Sequence, residues 1–125
     1  MVILTGKLIS GIGDFSFWID KLQDYYFEKT GMKLYPGTLN VQLEKPYSLP
    51  KRVIRLEKEE YGGTVSVNMV PCRICGIKAF ILRTDKNEAG LGRYPKTIIE
   101  VASDIKLRDK YNLKDGDLVE VEVEE

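Results

Sequence analysis

The sequence predicts a mainly β fold with minor α content, a small β-barrel or sandwich. Two observations carry this. Short strand candidates follow one another closely at Arg52 to Glu57, Thr64 to Val70 and Ile77 to Arg83, separated by the turn signals Tyr61-Gly62-Gly63 and Cys75-Gly76. Only one substantial helix interrupts the strands, which disfavours the strand-helix alternation of a parallel sheet. The 125 residues, 43% of them hydrophobic, suffice for one core, so a single domain over 1–125 is expected.

Composition narrows the function classes. Lys and Arg number 19, as do Asp and Glu. Such a balance supplies no overall positive field for a nucleic-acid backbone. There is no long uncharged apolar run and no signal-peptide pattern at the start, so a cytoplasmic protein with no membrane partner is expected. The chain has no histidine. Imidazole-based triads and zinc sites are thereby excluded, and acid-base chemistry falls to carboxylates, lysine, tyrosine or cysteine.

Taken in order, Val2 to Ser10 is apolar-rich and reads as a strand. It runs into Gly11-Ile12-Gly13-Asp14-Phe15-Ser16, where two glycines permit a tight turn whose N–H groups could converge on an anion. Turn geometry alone explains the same pair. Phe17 to Thr30 places Trp18, Leu22, Tyr25 and Tyr26 at helical spacing, with Ser16 as N-cap and Gly31 as the stop. Its aromatics read as core.

The stretch Tyr35-Pro36-Gly37-Thr38-Leu39-Asn40-Val41-Gln42-Leu43 alternates polar and apolar residues. As a strand it puts Thr38, Asn40 and Gln42 on one face and Leu39, Val41 and Leu43 on the other. A hydroxyl and a carboxamide two residues apart offer neutral oxygens that suit a hard cation holding phosphates. An ordinary half-buried strand has the same pattern. Glu44 to Lys51, with two prolines, reads as a loop.

Cys72-Arg73-Ile74-Cys75 lacks the further ligands zinc needs, and it follows a strand-like run rather than opening a helix, where a redox pair would sit. Two incidental reduced cysteines are expected. Thr84 to Lys96 is polar and aperiodic, which suits either a ligand-covering loop or an idle one. Thr97 to Ala102 reads as a strand, and Ser103 as the cap of a short helix through Ile105, Leu107, Arg108 and Tyr111. Lys114-Asp115-Gly116-Asp117 forms a turn, and Leu118 to Val123 alternates as a closing strand with one wet face.

Five stretches together resemble one family. Ser10-Gly11-Ile12-Gly13, Pro36-Gly37-Thr38-Leu39-Asn40, Ile98-Ile99-Glu100-Val101, Lys106-Leu107-Arg108 and Leu113-Lys114-Asp115-Gly116-Asp117 occur in the order and spacing of the archaeal-type CTP-dependent riboflavin kinases. The segment Gly90 to Lys96 and the Asp14-Phe15 pair depart from the usual archaeal pattern; bacterial relatives carry a similar longer loop, and a bacterial-like subgroup is expected. The resemblance implies a small closed barrel of the cradle-loop type that transfers the γ-phosphoryl of CTP to riboflavin, giving FMN and CDP.

Carried over by position, Thr38 and Asn40 are implied as Mg²⁺ ligands, and Gly11, Ile12, Gly13, Asp14, Phe15 and Ser16 with Ile105, Lys106, Leu107 and Arg108 as the nucleotide site. Glu100 is implied as the flavin-side carboxylate and catalytic group, with Thr84 as its companion. Phosphoryl transfer rests on positioning and charge neutralisation, so Arg108 is a candidate phosphate or base contact and Glu100 a candidate base for the acceptor hydroxyl. No protein partner is implied. Two other classes stay open: a barrel that binds nucleotide or flavin without turnover, and a nucleic-acid-binding regulator, against which the neutral charge speaks.

Overall fold

The computed structural model describes residues 1–11 and 15–124. Among them seven strands, β1 (Val2–Ile9), β2 (Leu39–Leu43), β3 (Ile54–Leu56), β4 (Val67–Ile74), β5 (Ile77–Thr84), β6 (Ile98–Ala102) and β7 (Leu118–Val123), form one antiparallel sheet. Its order is β3-β4-β5-β6-β2-β1-β7. A further pairing, Cys72 to Ile74 of β4 against Val121 to Val123 of β7, closes six strands into a barrel and leaves β3 outside the ring. β4 therefore changes neighbour along its length: its first three residues pair with β3 and its last three with β7.

Alternation explains the closure. In β7 the residues Val119, Val121 and Val123 are buried while Leu118, Glu120 and Glu122 are exposed, as a strand with one wet face requires. The valines join Leu8, Leu39, Val41, Ile81, Ile99 and Val101 in the barrel interior. Strands β4 to β6 are buried on both faces, which is why Phe80-Ile81-Leu82 is a continuous apolar run. Ile81 points into the barrel; Phe80 and Leu82 point out, into a second cluster with Leu56, Val67, Met69 and Ala102.

Two helices cover that outer cluster, α1 (Phe15–Lys21) and α2 (Gln23–Thr30), through Phe15, Ile19, Leu22 and Tyr26. The single helix expected from Phe17 to Thr30 is thus interrupted. Leu22, at φ −106° and ψ 27°, leaves helical geometry, although its N–H still reaches the Trp18 carbonyl at 2.9 Å. Ser16 is also not the cap, because α1 already includes it as its second residue. Gly31 does end α2, at φ 73° with its N–H on the Phe27 carbonyl at 2.8 Å.

The hairpin between β4 and β5 turns at Cys75-Gly76, with φ of 52° and 77°, as a two-residue turn matching strand twist demands. β4 runs further than Thr64 to Val70 and takes in Cys72, which is buried, while Cys75 is exposed; both are free thiols. Burial pushes the Cys72 thiol up to about 12, so it is an inert core residue.

Ser103 caps no helix. Its hydroxyl donates to the Lys78 carbonyl at 2.7 Å, and α4 (Leu107–Lys110) begins later, with Lys106 as its N-cap. The polar segment after β5 is fastened rather than loose. Thr84 caps the one-turn α3 (Asp85–Glu88) by accepting from the Asn87 N–H at 3.0 Å. Arg83, only 3% exposed, donates to the carbonyls of Tyr47, Lys96 and Ile98 and to Glu88 Oε1 at 2.8 Å. Glu88 also accepts from the Leu49 N–H at 3.2 Å and meets Lys96 Nζ at 3.4 Å. One buried guanidinium therefore joins the loops on either side of it. Beside it, Arg55 of β3 grips Asp85 through two bonds of 2.9 Å and Asn68 through one of 2.7 Å. No helix among the described residues is long and apolar enough to cross a membrane.

Arg83→Ala should cost about 3 kcal/mol in urea unfolding, because it strands Glu88 and several carbonyls at once. Acid should weaken the same clasp. The Arg55 guanidinium holds the Asp85 carboxyl below the usual range. Burial alone would raise the Glu88 carboxyl, but Arg83 and the Leu49 N–H carry it below its ordinary value. Groups depressed in the folded state stabilise it above the unfolded carboxylate pKa and lose that contribution as pH falls through the folded one. Thermal melts should therefore drop as pH falls below roughly 4, and Glu88→Gln, less stable at neutral pH, should show a shallower drop.

Candidate active site

The polar face of β2 is the starting point. Leu39, Val41 and Leu43 enter the barrel, so Asn40 is sent to the outer face, where its cross-strand partner on β6 is Glu100 and its partner on β1 is Ile9. Glu100 in turn lies opposite Leu82 of β5, an outward residue of the second cluster. Thr38, one residue before β2, donates from Oγ1 to Glu100 Oε1 at 3.2 Å. Asn40 and Glu100 are both buried, and Thr38 is half-buried. A hydroxyl and a carboxamide two residues apart thus meet a carboxylate 62 positions beyond Thr38 on one outer patch of the barrel.

Asn40 Oδ1 is buried without a hydrogen-bond partner among the described residues. A buried carbonyl left so is costly unless something else fills its valence, and a neutral oxygen beside a hydroxyl is hard-cation chemistry. Among the described residues no group of three or more Asp, Glu or Cys side chains is placed to hold a metal. The neutral oxygens on this patch are those of Thr38 and Asn40.

Two recesses flank this patch. A small cleft of about 70 Å³ lies between Tyr35, Gly37, Thr38 and Leu39 on one side and Lys106, Leu107 and Arg108 on the other. Ile105 packs against the barrel core instead of lining it. Arg108 Nη2 donates to the Ile9 carbonyl at 3.2 Å and to Asp115 Oδ1 at 2.6 Å, and the Ser10 hydroxyl donates to the other oxygen of Asp115. Ser10 first and Arg108 next hold the Asp115 carboxyl below its usual range. The Lys114 to Asp117 turn therefore fixes Arg108 beside Ile9 and Ser10, at the end of β1. Gly11 adjoins Asn40; Ile12, Gly13 and Asp14 lie outside the described residues. Ser16 is exposed on α1, near Gly37.

The larger recess, of about 550 Å³, is mostly aromatic and aliphatic: Phe15, Trp18, Leu22 and Tyr26 from the helices face Tyr61 to Val65 and Val67, with Thr84 on its wall. Thr84 lies two residues beyond Leu82, so it shares the face that carries Glu100. Tyr26 has its hydroxyl buried; that burial raises its pKa well above the tyrosine range, and nearby Tyr61 and Glu100 raise it further. Sequence reasoning placed Tyr26 in the core and gave it no part in a site.

The class is that of a closed antiparallel barrel with an oxygen cluster set between a basic cleft and an apolar recess. Residues 8–123 match the family model CTP-dep_RFKase, described as "Domain of unknown function DUF120", and the chain belongs to that family. It is 34% identical over 130 residues to the riboflavin kinase of Methanocella arvoryzae, covering 98% of this chain and 57% of that protein. It is 37% identical over 134 residues to that of Archaeoglobus fulgidus, covering 96% of this chain and 54% of the relative. For the riboflavin kinase of Pyrobaculum aerophilum the identity is 35% over 134 residues, covering 96% and 60%. The chain thus spans a little over half the length of these curated relatives.

A methyl group at Gly11 would fall 2.2 Å from Asn40 Nδ2 and 2.9 Å from Asn40 Cγ. Gly11→Ala should therefore rotate the Asn40 carboxamide out of place, shifting its side-chain amide signals by NMR, at a cost of about 1 kcal/mol in denaturant unfolding.

Proposed function

We propose that the protein is a riboflavin kinase that takes the γ-phosphoryl group from CTP and gives FMN and CDP. The supporting observation is the meeting of Thr38 and Asn40 with Glu100, because phosphoryl transfer needs a phosphate-side cation and an acceptor-side carboxylate within reach of one another. The family match and the names of the relatives point the same way, and CTP as donor rests on the family name.

In this reading Thr38 Oγ1 and Asn40 Oδ1, which has no partner among the described residues, would hold Mg²⁺, which when bound neutralises charge on the phosphate oxygens. The cleft beside Thr38 receives the nucleotide. Arg108, already oriented by Asp115 and the Ile9 carbonyl, offers directional donors to it, with Lys106 at the mouth. The apolar recess takes the flavin ring, with Thr84 on its wall. Glu100 orients the terminal ribityl hydroxyl and accepts its proton as that oxygen bonds to the γ-phosphorus and the bond to CDP breaks. A hydrogen bond of 3.2 Å from Thr38 links the carboxylate to the cation ligands.

Pure protein incubated with riboflavin, Mg²⁺ and each nucleoside triphosphate in turn should make FMN, with CTP the preferred donor; no FMN with any donor overturns the reading. EDTA should stop turnover, and added Mg²⁺ should restore it. Thr38→Ala and Asn40→Ala should each lower kcat/KM by about 100-fold or more while the thermal melt stays close to that of the parent.

A further inference from the structure

Tyr26 has no part in the assignment above, yet its placement calls for one. The side chain is fully buried, forms part of the apolar recess, and carries a hydroxyl with no hydrogen-bond partner among the described residues. Phenylalanine would keep the same packing in the cluster with Ile19, Leu22 and Leu82 without sequestering a polar group. An oxygen placed so keeps its donor and acceptor capacity for a group that enters the recess.

Its surroundings say which part of a ligand that would be. Tyr26 lines the recess together with Tyr61, and it shares its cluster with Leu82, the cross-strand neighbour of Glu100. The side chain thus lies on the route from the aromatic chamber toward the oxygen cluster. A molecule with a flat apolar ring in the chamber and a reacting hydroxyl at Glu100 must carry its intervening chain past Tyr26. Because burial keeps the phenol protonated, the group can both donate and accept there.

We propose that Tyr26 is a positioning residue for the acceptor, its hydroxyl hydrogen-bonding the polyol chain that links the flavin ring to the reacting end. This rests on the riboflavin kinase reading and adds to it the part of the substrate that a helix residue recognises. In the unliganded protein the hydroxyl contributes nothing to stability, and in the complex it distinguishes a flavin with a polyol from one without.

Tyr26→Phe separates the two contributions. Binding is followed by quenching of flavin fluorescence for riboflavin and for lumiflavin, which has the ring but no polyol, alongside thermal melts of the unliganded proteins. The variant should melt at the parent temperature or above, bind riboflavin about 10-fold more weakly, bind lumiflavin unchanged, and in turnover lose more in KM than in kcat. Equal affinities of parent and variant for riboflavin overturn the proposal while leaving the kinase reading in place. Equal weakening for both flavins, or a lower melt, also overturns it, since the hydroxyl would then serve ring packing or folding. A parent protein that binds neither flavin removes both readings together.

Discussion

The site depends on one constraint, the register between β2 and β6. With Asn40 opposite Glu100, these two polar residues face outward while their neighbours Leu39, Val41, Ile99 and Val101 fill the barrel. Side chains alternate strictly along a strand, so a slip of one residue would drive the carboxylate into the interior and bring a leucine or valine to the outside. Closure of the barrel holds that register from both flanks: β2 is fixed by β1 and β6, and neither can slide without disturbing β7 or β5. The same apolar packing that stabilises the fold therefore sets the arrangement of its oxygens.

A second consequence of closure is that the outer face of β4 to β6 is free to serve another purpose. The helices α1 and α2 bury part of it, and the aromatic recess opens where Tyr26 and Thr84 line its wall. The recess is bounded by a folded core on one side and by the Tyr61 to Val65 turn on the other. Arg83 and Arg55 keep that neighbourhood in shape by fastening the chain on both sides of Thr84. These ion pairs share no residue with the cluster of Thr38, Asn40 and Glu100.

Much of this was legible in the chain because it is local. The alternation of Leu118 to Val123, the Gly31 stop and the Cys75-Gly76 turn each depend on a few adjacent residues, and each stands where the pattern puts it. What depends on distant partners was not legible. Ser103 looks like a cap until the Lys78 carbonyl, across the sheet, takes its hydroxyl. Thr84 to Lys96 looks unstructured because the arginine that anchors it is buried, and burial of a lone arginine leaves no periodic trace. The β4–β7 pairing likewise joins residues about fifty positions apart. Thr38 and Asn40 were visible as a polar row; that a glutamate from β6 would meet Thr38 was not something their own spacing could say. Tyr26 carried no sign at all, since a tyrosine and a phenylalanine at that helical position give the same apolar pattern.

The antiparallel pairing of β1 with β7 brings Val2 beside Val123, so both ends of the described chain leave the barrel at the same corner. Opposed mechanical load on those ends would not shear the two strands past each other with every rung resisting at once. It would unzip them from the edge inward, rung by rung, so the barrel yields softly to tension along this direction however well its interior is packed.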